Sequence, residues 1–437
     1  MQRKLSPLEH AVWLGGQTLP LNEVIVWRVH GHFSSDQLQG ALRSLRTQQP
    51  FSSVRVSVDP VLGPSLTNDG VPEFEVREED IGPSADWTPA AEEELERPFS
   101  WDEGPLLRFR LLRSEAFTDI LLSLHHALYD GLSSHYMMHE IMTLMAEGPK
   151  KQAAAAFPPT FDDLLPPEAS RRLGTVLSLN AVKLIGPFCR LWLRPRHRMN
   201  PSPSLPIPAG LNERSTDTFR VIHGSIPPER ASNLLSGCKA RKMSVLAAAS
   251  AACLLALAKR SRDKNLRKYG FASPVNMRPW LSPPLTGELG LFLSRINAHI
   301  YCSPNQDFWQ TARKINEKIQ RRLVKSKLFT LHLLVSAVLA GIPDDYLGPT
   351  LARFGTRPAR YDFTISNVGR LPVRDDYGPY RVSATWGMEN LFAGRRTLAI
   401  QSLGNALFFT LSFRDFVMDK QEASALLSDI IQQLEAC

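Results

Sequence analysis

Two adjacent histidines follow an apolar run in the first third of the chain and are the residues best suited to chemistry. Residues 125–131 read HHALYDG, and residues 120–124 before them read ILLSL. A neutral imidazole both accepts and returns a proton near pH 7. An aspartate four residues after the second histidine can fix the local backbone, and a glycine lets the chain turn sharply. The pattern predicts a general base at the tip of a strand.

Simpler explanations exist for each histidine in this part of the chain. Alone, His125 or His126 would more often be a packed side chain than a base, and their joint HHxxxDG spacing is what favours catalysis. His135 and His139 lie four residues apart, on one face of a predicted helix. No third ligand and no glutamate at HExxH spacing accompany them, so no metal site is expected.

The elements that must position the histidines alternate between strands and helices. Strands are predicted at residues 22–31, 54–58, 105–112 and 118–124, and helices after Ser34 and after Ser133 and Ser134, the second ending at Gly148. Residues 79–97 are acidic and polar, which predicts a surface loop with a short helix. Strands and helices are again predicted to alternate in the second half of the chain. Strands are predicted at residues 219–226, 269–275, 362–368, 397–403 and 406–413, and helices from Pro228, from Ser244 to Leu257, at 308–323 and at 421–434.

The middle of the chain differs in composition from both halves. Residues 150–215 contain four consecutive alanines and many prolines, which predicts an inter-lobe linker. Within it, residues 176–198 are apolar with a basic cluster at the end. They predict either a helix packed on the protein, which we favour, or an interfacial helix making peripheral membrane contact. We therefore divide the chain into an N-terminal lobe (1–150), a linker (151–215) and a C-terminal lobe (216–437).

Bulk composition excludes several classes of protein. With 43% hydrophobic and 22% charged residues, the 437-residue chain has an ordinary globular composition. The net charge of +8 suits a polyanionic partner or is a modest surplus over a large surface, and no nucleic-acid-binding motif is present. Five scattered cysteines, no signal-peptide core and no long apolar stretch predict a cytoplasmic protein.

The motifs together resemble the condensation-domain superfamily of acyltransferases, over nearly the whole chain. The group includes peptide-synthetase condensation domains, polyketide-associated acyltransferases and alcohol acetyltransferases. HHxxxDG matches completely. Looser matches are residues 5–9 (LSPLE), 42–56, 104–108 (GPLLR), 274–279 (PVNMRP) and 362–369 (DFTISNVG). The resemblance implies an α/β fold of two chloramphenicol-acetyltransferase-like lobes, arranged as a V-shaped pseudo-dimer with a tunnel between them.

The resemblance also implies the roles of individual residues. His126 matches the second histidine of the motif, the general base that deprotonates an acceptor as it attacks a thioester carbonyl. Asp130 would be structural, in an ion pair for which Arg278 is our candidate. His125 would support the loop, and Gly131 would permit close backbone approach and direct its amide at the reacting carbonyl.

Further parts of the site and its substrates are less constrained. Ser366 and Asn367 could contact the acceptor or the oxyanion, or form a strand end bonded to its own backbone. No cofactor is expected to be bound. The co-substrate would be an acyl thioester on coenzyme A or on the phosphopantetheine of an acyl carrier protein. The acceptor would be a small-molecule alcohol or amine, and nucleic acid is not an expected partner.

Three functions remain open on the sequence alone. The absence of adenylation, carrier and ketosynthase segments predicts a free-standing enzyme, and residues 45–50 read LRTQQP where peptide synthetases have RHExLRT. This departure favours ester formation in specialised-metabolite or lipid biosynthesis. The alternatives are an amide-forming condensation enzyme and a catalytically inactive scaffold with the same fold.

Overall fold

A computed structural model describes residues 1–17, 20–59, 63–82, 86–149, 153–170, 218–262, 265–341, 344, 347–348, 361–371, 373–390 and 396–437. The strands are β1 Gln2–Lys4, β2 Asn22–His30, β3 Arg55–Asp59, β4 Gly63–Thr67, β5 Val76–Asp80, β6 Leu107–Arg113, β7 Thr118–His125, β8 Phe219–Ile226, β9 Arg267–Asn276, β10 Leu293–Cys302, β11 Phe363–Arg370, β12 Arg381–Glu389, β13 Arg396–Leu403 and β14 Ala406–Arg414. The helices are α1 Pro7–Gly16, α2 Ser35–Gln48, α3 Thr88–Glu96, α4 Gly131–Glu147, α5 Pro167–Ser170, α6 Pro228–Ala240, α7 Val245–Arg260, α8 Phe308–Arg322, α9 Lys325–Leu328, α10 Thr330–Gly341 and α11 Lys420–Glu435.

The described strands form three sheets. The first large sheet has the order β12-β2-β7-β6-β5, and the second has the order β10-β9-β11-β13-β14-β8. Strands β1, β4 and β3 form a separate small sheet, which packs on the core of the first large sheet through Val56 and Leu66. Because the two large sheets draw mainly on the first and the second half of the chain, the fold is the α/β, two-lobed fold that the sequence predicts.

The strand β12 departs from this simple division of the chain. It belongs to the second half of the sequence, yet it pairs antiparallel with β2 of the first sheet. It also packs on β13 of the second sheet, where the Thr385 hydroxyl donates to the Gln401 side chain at 3.1 Å. The strand therefore ties the two large sheets together, and the lobe boundaries at residues 150 and 216 stay a prediction.

Each large sheet is covered by its own apolar core. The first core includes Val24, Ile25, Trp27 and Leu122, together with Trp386 from β12. The second core surrounds the Ala-rich helix α7, whose tightly packed small side chains are all but excluded from solvent. Burial on this scale gives the rigid frame on which a catalytic group can be held in place.

Most of the predicted elements are present, within a few residues at their ends. The predicted cap of α4 is wrong: Ser133 and Ser134 do not cap it, because the Asp130 side chain accepts from the Ser133 amide and is the N-cap. The predicted helix at residues 176–198 lies outside the described residues. Among the described residues, no single helix has the length and hydropathy to cross a membrane, although α6 and α7 together would pass as a pair bent by 106°.

Candidate active site

Three strand ends of the first sheet bring one imidazole and two carboxylates together. Strand β7 ends at His125, so His126 is the first residue beyond it. On the neighbouring strands, Glu23 of β2 lies opposite Leu124 of β7 and also opposite Glu389 of β12. All three ionisable side chains are buried. A proton-transfer group therefore sits at the tip of a strand, with two acids beside it.

The two nitrogens of the His126 ring have different environments. Nδ1 lies 2.7 Å from the Tyr129 carbonyl oxygen, to which it donates a hydrogen bond. Nε2 lies 3.3 Å from Oε2 of Glu389, and Oε2 of Glu23 is 3.9 Å from Nδ1. The carbonyl fixes the ring orientation and directs Nε2 at the Glu389 carboxylate.

Burial and charge oppose each other at His126. Burial disfavours the imidazolium, but the hydrogen bond with Glu389 and the charges of Glu23 and Glu389 outweigh it and raise the pKa of His126 to about 9. Burial also raises the pKa of Glu23 to about 7, although the charge of His126 and a hydrogen bond from Ser134 lower it. At neutral pH the resting imidazole is therefore protonated and held by its acidic neighbours.

A buried ion pair stands directly behind the histidine loop. Arg278 Nη1 lies 2.8 Å from Asp130 Oδ2, and Nη2 lies 3.1 Å from Oδ1. The same carboxylate accepts from the amides of Ser133, at 3.0 Å, and Phe292, at 2.9 Å. Arg278 further donates to the Glu288 carbonyl at 2.9 Å. Asp130 thus caps α4 and fastens it to residues 276–292 of the second half.

His125 lies in a tight aromatic cage. Its ring centroid is 3.8 Å from that of Trp101, and Phe99 packs against it as well. Nδ1 accepts from the Ala127 amide at 3.0 Å. Burial, followed by the charges of His126 and Arg108, lowers the pKa of His125 well below its usual value. The neutral ring is placed to brace the loop rather than to exchange a proton.

The cage predicts that an added methyl group at Gly16 will disturb the loop. A Cβ atom there would lie 2.7 Å from Nε2 of His125 and 3.1 Å from Trp101. We expect Gly16→Ala to lower the free energy of unfolding by about 1–3 kcal/mol, because an overpacked site must shift a locked ring. Denaturant unfolding measures the change. Gly40→Ala in α2 is the matched control, since nothing lies within 4 Å of its Cβ and the helix should gain stability. Equal effects of the two substitutions would contradict the cage.

The second half of the chain approaches the site at Gly131. A Cβ atom on Gly131 would lie 3.5 Å from Glu23 Oε1 and 3.6 Å from a methyl group of Val368 on β11. The space in front of Gly131 is therefore shared between the two sheets. The predicted oxyanion role of the Gly131 amide stays a prediction.

The remaining predicted residues have ordinary environments. Ser366 and Asn367 lie half-buried on β11, just before Val368, and the Asn367 side chain accepts from the Gly369 amide at 3.0 Å. His135 accepts from Trp27 Nε1 at 3.1 Å, while His139 Nδ1 lies 2.7 Å from the Tyr377 hydroxyl. Among the described residues, no group of three or more His, Cys, Asp or Glu side chains could hold a metal ion.

Sequence reasoning did not find Glu23 and Glu389. Each is an acid at the end of an apolar strand, where a charge facing the core is unusual. That signal was available at Glu23, the second residue of β2. At Glu389 it was hidden, because β12 was not predicted as a strand.

Comparisons with known proteins agree with the predicted fold. Residues 14–166 match the family model of the condensation domain, and residues 215–375 match that of the phthiocerol/phthiodiolone dimycocerosyl transferase C-terminus. No curated protein matches the sequence. The fold is the two-lobed, chloramphenicol-acetyltransferase-like fold, and the family matches support a transferase. The matches in its two halves make the chain similar to the condensation-domain superfamily of acyltransferases.

Solved structures with this fold are distant in sequence. Trichothecene 15-O-acetyltransferase TRI3 from Fusarium sporotrichioides has a TM-score of 0.72 at 13% identity, covering 100% of this chain and 95% of that one. Polyketide synthase associated protein 5 from Mycobacterium tuberculosis has a TM-score of 0.66 at 14% identity, covering 99% and 98%. The first condensation domain of the CDA synthetase has a TM-score of 0.68 at 16% identity, covering 100% and 95%.

Proposed function

We propose that this protein transfers an acyl group from a thioester directly to an acceptor hydroxyl, with His126 as the general base. The observation that carries the proposal is the orientation of the His126 ring. Its Nδ1 donates to the Tyr129 carbonyl, and its Nε2 points away from that bond and lies 3.3 Å from Oε2 of Glu389 on β12. A base held in one orientation reacts without first ordering itself.

The site supports a single displacement. The base removes the acceptor's proton as the acceptor oxygen attacks the thioester carbonyl carbon, and the C–S bond then breaks. The proposal requires no acyl-enzyme, so no serine or cysteine nucleophile is needed. The four described cysteines are buried or half-buried, and burial raises the pKa of each thiol.

The donor and the acceptor are proposed from chemistry and from similarity. A donor on coenzyme A or on a carrier protein's phosphopantetheine presents the same thioester to the base. An acceptor hydroxyl is favoured because one matched model describes a dimycocerosyl transferase and one similar structure is an O-acetyltransferase. An amine acceptor is the second candidate, favoured by the match of residues 14–166 to the condensation domain.

A donor and acceptor panel tests the proposal. The purified protein is assayed with acetyl-, medium-chain and long-chain acyl-CoA, and with the same acyl groups on a carrier protein, against alcohols and amines. Thiol release together with a new ester supports the proposal, and a new amide favours the condensation enzyme. Thiol release without an acyl product indicates hydrolysis and contradicts it. No thiol release and no thioester binding would favour the inactive scaffold.

A further inference from the structure

The nitrogen that must receive the acceptor's proton already has a partner. Oε2 of Glu389 lies 3.3 Å from Nε2 of His126. The Glu389 side chain is nine-tenths buried, and its other oxygen, Oε1, has no hydrogen-bond partner among the described residues. Leaving a buried carboxylate oxygen unpaired costs free energy. A costly group in a candidate active site indicates a functional role.

We propose that Glu389 is a second catalytic residue, which takes the proton of the His126 imidazolium and returns it to the sulfur of the leaving thiol. The inference rests on the acyl-transfer function proposed above. In one reaction, His126 is then the base toward the acceptor and Glu389 is the acid toward the leaving sulfur.

The proton and the electron pairs balance in this sequence. Glu389 accepts the Nε2 proton and becomes a carboxylic acid, and the neutral imidazole of His126 then accepts the proton of the acceptor. The acceptor oxygen forms its bond to the carbonyl carbon, and the C–S bond breaks with its electron pair passing to sulfur. Glu389 protonates that sulfur. The imidazolium and the carboxylate are restored, and the products are an ester and a thiol.

The charges around the pair explain why such a transfer is needed. Glu23 on β2 lies 3.9 Å from Nδ1 of His126. Behind the loop, Asp130, the N-cap of α4, is paired with Arg278, and the charge of Arg108 on β6 acts on His125. From β11, the apolar Val368 faces Gly131. The two glutamates favour the imidazolium, so a free imidazole is scarce at pH 7, and the proton must pass to a neighbour before His126 can act as a base.

The pH dependence of acyl transfer distinguishes the two roles. In the wild type, kcat should fall as the pH rises through about 9, because the shared proton is then lost from the pair. We expect Glu389→Gln to lower kcat at pH 7 by about 10- to 100-fold and to remove this fall. Its rate should instead rise with pH to a plateau, because His126 without the carboxylate loses its proton at lower pH.

Two further variants sharpen the test. Glu389→Asp keeps a carboxylate on the same strand and should retain the fall in kcat near pH 9. Arg381→Gln lies at the exposed other end of β12 and should change neither the rate nor the profile. An unchanged rate and profile in Glu389→Gln, or a profile in Glu389→Asp like that of Glu389→Gln, would overturn the role of Glu389.

A measurement without substrate separates this inference from the function on which it rests. NMR titration of isotope-labelled histidine gives the pKa of His126, whose signal is the one missing in His126→Ala. The pKa should be near 9 in the wild type and at least one unit lower in Glu389→Gln. An unchanged pKa overturns the role of Glu389, whereas a shifted pKa in a protein that transfers no acyl group overturns the proposed function.

Discussion

His126→Ala should reduce kcat for acyl transfer by about 10²- to 10⁴-fold, the range that general base catalysis supplies. The Tyr129 carbonyl holds the His126 ring through Nδ1, and Nε2, which lies beside the Glu389 carboxylate, is the nitrogen proposed to take the acceptor's proton. Its loss removes the proton acceptor, whereas the elements that bind the substrates stay in place. The fall should therefore appear in kcat, with a much smaller change in KM.

The measurement is a steady-state assay of thiol release with the best donor and acceptor from the panel. Added imidazole should restore part of the activity of His126→Ala, because the small base can enter the space that the ring vacates. His32→Ala, which removes an exposed histidine, should leave the rate unchanged. Wild-type turnover in His126→Ala would remove this residue from the mechanism, and thermal unfolding of the variant shows whether a loss of activity is a loss of fold.

Local patterns in the sequence were sufficient for most strands and helices. The strand Phe219–Ile226 has the predicted limits, and the hairpin of β13 and β14 forms around Gly404, whose φ of 56° requires a left-handed turn. Ser34 and Ser244 cap their helices as predicted, by accepting from amides three residues on. These features depend on neighbouring residues only, and a single sequence contains all the information that they need.

Long-range pairing explains what the sequence did not predict. Strand β12 is held by β2, whose residues lie about 350 positions earlier, and nothing local to either segment specifies that partner. The Glu389 carboxylate becomes part of the site only because this pairing places it beside Glu23 and His126. The base of the site could therefore be predicted from a motif, and its acidic neighbours could not.

Helix α3 shows a second limit of prediction from sequence. Its acidic residues predicted an exposed position, but Glu92 and Glu94 are buried. Glu94 pairs with the buried Arg108 of β6, and Glu92 accepts from the Val221 amide of β8 at 2.9 Å. A charge pattern on its own indicates solvent, and only the partners brought by the fold can reverse that interpretation.

Arg278→Ala should lower the free energy of unfolding by about 3–5 kcal/mol, because it leaves the buried Asp130 carboxylate without its counter-ion. It also removes the hydrogen bonds that tie residues 276–292 to the start of α4. Acyl transfer should fall as well, since the ion pair stands directly behind the loop of His126. Denaturant unfolding and the thiol-release assay measure the two effects.

The partner substitution should separate the ion pair from the helix cap. Asp130→Asn keeps an oxygen that can accept from the Ser133 amide but loses the charge, so it should destabilise less than Asp130→Ala. Combining Asp130→Asn with Arg278→Met should cost less than the sum of the single changes, because no unpaired charge remains buried. Arg230→Ala, which breaks the exposed pair with Glu435, should change stability by at most about 1 kcal/mol. If Arg278→Ala destabilised the protein by no more than Arg230→Ala, the buried pair would not hold the site together.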